Sequence, residues 1–410
     1  MRRSLKNSAV CCQSFTRYWE KAQVERVDTT GILIHVTGQV PGNPAVMLAH
    51  YDVVPARADA WEKPPFAGVL EDGVLWGRGV LDMKNQLCAM LEAAETLLEQ
   101  GFVSKHDIYF ALSGEEEIMG ASAKSIRDLF VERNITPAFV LDEGGDIMDG
   151  FFPGTTVPCA MVGIGEKGAA NLVFTAKSQG GHASVPNANN PLPRLCRAME
   201  RVRKHPFPIR TGPALDALVD TMGRYCSFRT RLLLANRQWL RPLYHRWLIK
   251  KGGMIAAAAQ TTFALTQCQG AQAGNVIPSE ATMFANLRLL WGDTQESVVN
   301  RLNRIIDDPQ VEIHPNPGTD PGPESLLSEE FQKLRESIEA TWPQAVVSPY
   351  LMVACTDSRH WRSICDHVYR FSGKYVTGEE KSTVHGNNER IRIENTENAV
   401  KFFMRLMRKC

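Results

Sequence analysis

Two apolar rhythms run through the first third of this chain. Short unbroken apolar runs at 45–49 (AVMLA), 108–112 and 138–141 are bounded by polar residues and are too short for helices, so each reads as a buried strand. Between them, Met83, Leu87, Met90, Leu91, Ala94, Leu97 and Leu98 recur at helical spacing, which predicts a helix over 83–100 stopped by Gly101. A second helix is expected over 121–133. Strands alternating with helices predict an α/β fold: a mainly parallel sheet with helices on both faces. In such sheets functional side chains gather at the carboxyl ends of the strands.

The rhythm changes near Gly163-Ile164-Gly165. Residues 171–176 (NLVFTA) read as a strand, and a long helical region follows. Asn275-Val276-Ile277-Pro278 leads into a strand at 281–290, then a helix at 297–306 and a strand-like stretch at 311–314. The Pro- and Gly-rich segment 315–323 reads as a return linker, after which helix and strand patterns resume from 328. These changes predict a first part of a main domain at 1–163, an inserted α+β domain at 164–316 serving dimerisation or as a lid, and a second part at 317–410. No internal repeat or low-complexity tract interrupts them.

Composition narrows the class. With 410 residues, 44% of them apolar, the chain is too long for one ordinary core and suits two domains. A formal net charge of +1 gives no global case for nucleic-acid binding. Ten cysteines, at 11, 12, 88, 159, 196, 226, 268, 355, 365 and 410, form no Cys-x-x-Cys pair, which reads as a reduced, intracellular protein. Vicinal Cys11-Cys12 reads as a packing or surface pair. Met1-Arg2-Arg3-Ser4 is basic, yet Lys6, Asn7 and Ser8 interrupt the stretch that would have to be apolar in a signal peptide, and no run of eighteen apolar residues occurs. The expected location is cytoplasmic. One charge pattern stands apart: 221–279 lacks Asp and Glu but holds Arg224, Arg229, Arg231, Arg237, Arg241, Arg246, Lys250 and Lys251, interleaved with Trp239, Trp247 and leucines. The expectation is a helical lid packing on its own domain. A lid over a lipid-like or anionic substrate is a second reading, and membrane contact is not expected.

The chemistry lies at the strand ends. His50-Tyr51-Asp52 follows the first apolar run, Gly77-Arg78-Gly79-Val80-Leu81-Asp82 comes about thirty residues later, Glu116-Glu117 and Asp142-Glu143 follow the next two strands, and His385 lies far downstream. Imidazoles and carboxylates without cysteine suit a zinc-type hydrolytic site.

Taken together, these motifs resemble the zinc metallopeptidase family that includes carboxypeptidase S, aminoacylase and succinyl-diaminopimelate desuccinylase. The resemblance runs from about residue 45 to the C-terminus. It is carried by His50-Tyr51-Asp52-Val53-Val54-Pro55, Gly77-Arg78-Gly79 with Asp82 and Lys84, Glu116-Glu117-Ile118-Met119-Gly120, Asp142-Glu143-Gly144-Gly145, Gly180-Gly181-His182-Ala183-Ser184, Asn275-Val276-Ile277-Pro278, Thr356-Asp357-Ser358-Arg359 and His385-Gly386. The helical insert, ending in Thr261-Thr262 and Ala264-Leu265-Thr266, is most similar to the carboxypeptidase S branch, which also holds enzymes acting on N-fatty-acyl amino acids. Two features depart from the family pattern: only 49 residues precede His50, and Glu115 stands where relatives often carry Asp.

The resemblance implies two divalent metal ions, most often zinc, with cobalt or manganese able to serve similar ligands. His50 and His385 are the expected imidazole ligands, one on each ion. Asp82 is the expected bridge, since two dications roughly 3.5–4 Å apart repel strongly. Glu117 and Asp142 complete the two shells, with Asp142 preferred to its neighbour Glu143. Asp52 orients His50, and Glu116 is the general base acting on the metal-bridging water. His182 holds the oxyanion, commonly in the partner subunit's site, with Asn275 beside it on the substrate. Arg359 clamps the substrate carboxylate, a role Arg288 shares as a weaker candidate. The expected reaction is amide hydrolysis, as a carboxypeptidase or dipeptidase or as an N-acyl amino acid deacylase, in a homodimer joined through the inserted domain. The alternatives are a non-catalytic metal-binding or regulatory protein that keeps the fold, and an amide synthase running the reaction in reverse.

Overall fold

The computed structural model describes residues 21–186 and 188–410. The basic N-terminal stretch and Cys11-Cys12 lie outside the described residues. The main domain opens with strands β1 (Ala22–Val27), β2 (Gly31–Val36) and β3 (Ala45–His50), helix α1 (Asn85–Glu99), β4 (Ile108–Ser113), α2 (Ser122–Glu132), β5 (Phe139–Asp142), the short β6 (Ile147–Met148) and β7 (Cys159–Glu166). The insertion carries β8 (Gly168–Lys177), α3 (Pro191–Lys204), a helical run α4 (Pro213–Met222), α5 (Phe228–Ala235), α6 (Arg241–Lys251) and α7 (Gly253–Ala257), then β9 (Thr262–Gln269), β10 (Glu280–Leu289), α8 (Gln295–Ile306) and β11 (Val311–Pro315). The chain returns through α9 (Glu329–Thr341), β12 (Val346–Met352), β13 (Val368–Arg370), α10 (Gly378–Ser382) and α11 (Ile393–Met407).

The central sheet runs β1-β2-β4-β3-β5-β13-β7-β12, with β6 beside β7. Its middle, β4-β3-β5-β13, is parallel, while the β1-β2-β4 edge and the β13-β7 pairing are antiparallel. Every residue of β3 is buried, and its side chains alternate between two cores: Met47 and Ala49 pack with α1 and α11, whereas Val46 and Leu48 pack with Ile126 and Phe130 of α2. Burial on both faces is why these strands read as unbroken apolar runs. Helix α1 starts at Asn85, two residues later than the periodicity suggests, because Val80–Lys84 forms a separate wide turn that carries Asp82.

The insertion has its own antiparallel sheet, β9-β10-β8-β11, backed by α3 and α8 over a separate apolar core. It differs from the expected 164–316 block in two ways. Strand β7 stays in the central sheet through Glu166, so position 164 falls inside it. The helical run also leaves the insertion's sheet: Leu215, Leu218, Tyr244, Leu248 and Ile255 join the main-domain core. An amphipathic pattern shows that a face is buried without showing against what. Within this run Arg237 pairs with Asp216 and Asp220, while Phe228, Leu232 and Trp239 are exposed. No helix among the described residues is long and apolar enough to cross a membrane.

Candidate metal centre

The carboxyl ends of β3, β4 and β5 converge as open α/β sheets require. His50 closes β3 and is almost fully buried. Its Nε2 stands 3.0 Å from Oδ1 of Asp82 and 3.3 Å from Oε1 of Glu143. The other oxygen of Asp82 stands 3.1 Å from Nε2 of His385, which lies 3.2 Å from Oε2 of Glu117. Asp82 thus stands between the two imidazoles. Ligand atoms of His50, Asp82 and Glu117, and separately those of His50, Glu116 and Glu143, lie within 4.8 Å of one another.

Asp52 ties this arrangement together from behind. Its Oδ1 lies 3.2 Å from Nδ1 of His50, and its two oxygens accept the backbone N–H groups of Glu116 and Glu117 at 3.2 and 3.0 Å. One carboxylate therefore fixes both the ring and the turn that carries the glutamates.

Asp142 does not join the cluster. Its Oδ1 accepts the Glu143 N–H and its Oδ2 the Ser358 N–H, both at 2.8 Å, so both oxygens serve the backbone and Glu143 takes the place facing His50. The structure thus sets Glu143, rather than the expected Asp142, against His50. Glu116 and Glu117 form a short helical turn after Ser113 and Gly114. Arg359 lies behind Glu116, its Nη1 3.8 Å from Oε1 and donating to the Thr356 carbonyl at 2.8 Å, while its buried Nη2 pairs with Oδ1 of Asp357 at 3.4 Å. Arg288 reaches the Cys355 thiol at 3.5 Å. His182 and Asn275 stand apart from the cluster. Gly181–His182 pairs with Val276–Ile277, Ala183 N–H donates to the Asn275 carbonyl at 2.9 Å, and the exposed His182 ring bonds Ser184 at 2.7 Å.

Other residues that organise the centre carried no role at the sequence level. Glu389 is fully buried and accepts N–H bonds from Gly79, Leu81 and Asp82 at 2.9, 2.7 and 3.2 Å, while pairing with Arg78 at 2.7 Å. Arg78 also donates to the Gly386 carbonyl at 2.6 Å, so this pair joins the Asp82 turn to the residue beside His385. Lys374 donates to the Leu81 carbonyl at 2.6 Å. The nearest sequence signal was the Arg78-bearing turn; an isolated downstream Glu389 gives none. Asp357, held by Ser113, is pushed up to about 6 by burial and by Asp142.

The electrostatics show how strongly the acids crowd one another. Burial, then the charge on Glu143, pushes Glu116 up to about 9, and burial with the charge on Asp82 pushes Glu143 up to about 7. Burial would raise Asp82 too, but its bonds to His385 and His50 hold it well below the usual carboxylate range. Burial opposes charging of His50, yet Glu143, Asp52 and Asp82 raise it well above an ordinary histidine. His385 reaches about 10, through its bond to Asp82 and then to Glu117. These acids relieve their repulsion by taking up protons or by sharing cations. The donor separations of 3.0 to 3.3 Å match the edge of roughly 3.3 Å in a tetrahedron with bonds of about 2.0–2.1 Å. Nitrogen and oxygen donors at this spacing fit a pair of divalent ions.

The model of Peptidase family M20/M25/M40 matches residues 46–409. The N-fatty-acyl-amino acid synthase/hydrolase PM20D1 of Bos taurus is 35% identical over 378 residues, covering 90% of this chain and 75% of the relative. The "Probable carboxypeptidase S-like 2" of Dictyostelium discoideum is 35% identical over 371 residues, covering 89% of this chain and 71% of the relative. Among solved structures, the M20 family metallo-carboxypeptidase Sso-CP2 from Sulfolobus solfataricus superposes with a TM-score of 0.69 at 18% identity, covering 95% of this chain and 90% of that one.

Proposed function

This chain is a member of peptidase family M20/M25/M40, and from that premise we propose that it hydrolyses the amide bond of N-acyl amino acids, using two divalent ions with zinc as the native metal. The observation that carries the reading is Asp82 between His50 and His385, with Glu143 on one side and Glu117 on the other. His50, Asp82 and Glu143 would hold one ion, and His385, Asp82 and Glu117 the other. When bound, the pair would polarise the scissile carbonyl and acidify the attacking water. Asp52 keeps Nδ1 of His50 occupied so that Nε2 faces inward. Glu116 would take the water's proton on a carboxylate oxygen and hand it to the leaving amine, a role its crowding by negative charge favours once cations restore its ionised form. Arg359, whose Nη2 makes no hydrogen bond and faces Asp357 at 3.4 Å, would turn its guanidinium to the substrate carboxylate.

The relative that acts on N-fatty-acyl amino acids supports the acyl substrate, and the carboxypeptidase S-like relative supports a peptide as the second reading. Among the described residues Cys159, Cys196, Cys226, Cys268, Cys355, Cys365 and Cys410 are free thiols, which suits a reducing cytoplasm. The test is a screen of zinc-loaded protein against N-acyl amino acids and dipeptides. Hydrolysis of the former that stops on chelation, returns with metal and falls at least ~10²-fold in Glu116→Ala is the expected outcome. Equal turnover after exhaustive metal removal sinks the proposal.

A further inference from the structure

One cavity, of about 800 Å³, opens at the amino ends of the strands beside Ala45 and Phe139, at the opposite end of the strands from the metal centre. A second, of about 380 Å³, lies beside the centre. Gly144, on its wall, follows Glu143 in the chain, and Lys381, also on its wall, precedes His385 by four residues. Two of its lining segments therefore run directly into the cluster. The opposite wall is the turn from α6 to α7, where Gly252 and Gly253 both take left-handed backbone angles (φ 66° and 54°) and reverse the chain.

The space between is apolar. Met148, Phe151, Met161, Met254, Ile255 and Tyr350 line it. The charged groups at its rim are already engaged: Lys381 stands 2.5 Å from Asp146, Asp149 accepts from the Tyr375 hydroxyl at 2.6 Å, and Lys251 lies 6.0 Å over the Trp247 ring. A ligand entering here meets hydrocarbon, thioether and aromatic surface. The volume falls within the roughly 300–1,000 Å³ of small-molecule sites. Three methionines on the wall can adjust to chains of different length.

We propose that this cavity receives the substrate's acyl chain, with the scissile carbonyl at the metal centre and the tail running between the sheet and the α6–α7 turn. The inference rests on the reading of the enzyme as an N-acyl amino acid hydrolase. It gives the helical run of the insertion a function: by packing on the main core, α6 and α7 form the wall that sets chain length.

The experiment measures kcat/KM of zinc-loaded enzyme for one amino acid carrying acyl chains from acetyl to octadecanoyl. Specificity should rise by about fourfold per added methylene until the cavity is full, then level. Met254→Trp, which fills the space, should bring the plateau several carbons earlier and cut the dodecanoyl-to-acetyl ratio about tenfold or more. Met254→Ala should move the plateau to longer chains, and this small truncation decides the matter if the tryptophan variant does not fold. Hydrolysis of every acyl length with the same chain-length profile in wild type and the Met254→Ala variant overturns the cavity assignment and leaves the proposed reaction standing. Cleavage of dipeptides with none of any N-acyl amino acid overturns both.

Discussion

Asp142 spends both carboxylate oxygens on backbone N–H groups, whereas Glu143, one residue on, points at His50. The two acids should therefore fail differently. Glu143→Gln should leave clearly fewer than two metals per chain by elemental analysis. It should also raise the melting temperature of the metal-free protein at neutral pH, because burial and Asp82 already push Glu143 up to about 7 and the amide removes an acid that costs energy to ionise there. Asp142→Asn should keep both metals but lose about 1–3 kcal/mol of stability, since the amide cannot accept both N–H bonds. Two metals retained in the Glu143 variant would return the role to Asp142. The sequence could not separate them. Every residue of β5 is buried, so its pattern does not show which side faces the site, and the deciding contact comes from Ser358, more than two hundred residues away. His50, Asp82 and the Glu116-Glu117 pair were easier to find because each follows an apolar run or a glycine turn at a strand's carboxyl end.

A downstream carboxylate gathers N–H groups of the turn Gly77–Asp82. Glu389 accepts three of its backbone N–H groups and neutralises Arg78 in a fully buried pair. Glu389→Ala strips that turn of its acceptors and leaves a buried guanidinium unpaired, so a loss of about 3–5 kcal/mol is expected in urea unfolding, together with weaker metal retention at Asp82. Unchanged stability would mean that the turn is held by other contacts. Lys167, between β7 and β8, anchors a different element: its ammonium donates to the carbonyls of Ala257 and Gln260 at 2.9 and 2.7 Å and so pins the end of α7. Burial, then the Arg288 charge, lowers it to about 7 from an ordinary 10.5. Below pH 7 both folded and unfolded chains carry the proton and the full burial cost is present. Between about 7 and 10.5 the unfolded chain binds more protons, so this group makes stability rise with pH across that window. Lys167→Met should flatten that slope in melts taken from pH 6.5 to 9.5; an unaltered slope excludes Lys167 as its source. Neither tie was legible in sequence. Apolar runs and periodicity placed six strands (β3, β4, β5, β8, β10 and β11) and three helices (α1, α2 and α8) within a few residues and left the other elements without bounds; a buried charge is defined by its partners, and these come from distant parts of the chain.

Across the whole molecule, two expected substrate contacts remain outside the cluster assembled by one chain. His182 and Asn275 sit side by side on an exposed two-stranded ribbon of the insertion, while an oxyanion at the metal centre needs a donor within hydrogen-bond reach. The insertion's sheet ends at β9, whose residues from Ala264 to Gln269 are exposed, and an uncovered edge strand is a template for pairing with another chain. A two-fold axis through the insertion would carry His182 of each protomer towards the other's site. His182→Ala and Glu116→Ala should then each be nearly inactive alone. When the two are mixed and allowed to exchange, about half the dimers become hybrids with one site containing both residues, so activity should return towards about a quarter of wild type. If exchange is demonstrated with labelled protomers and no activity returns, His182 does not serve the partner's site, and the proposed dimer loses its catalytic purpose.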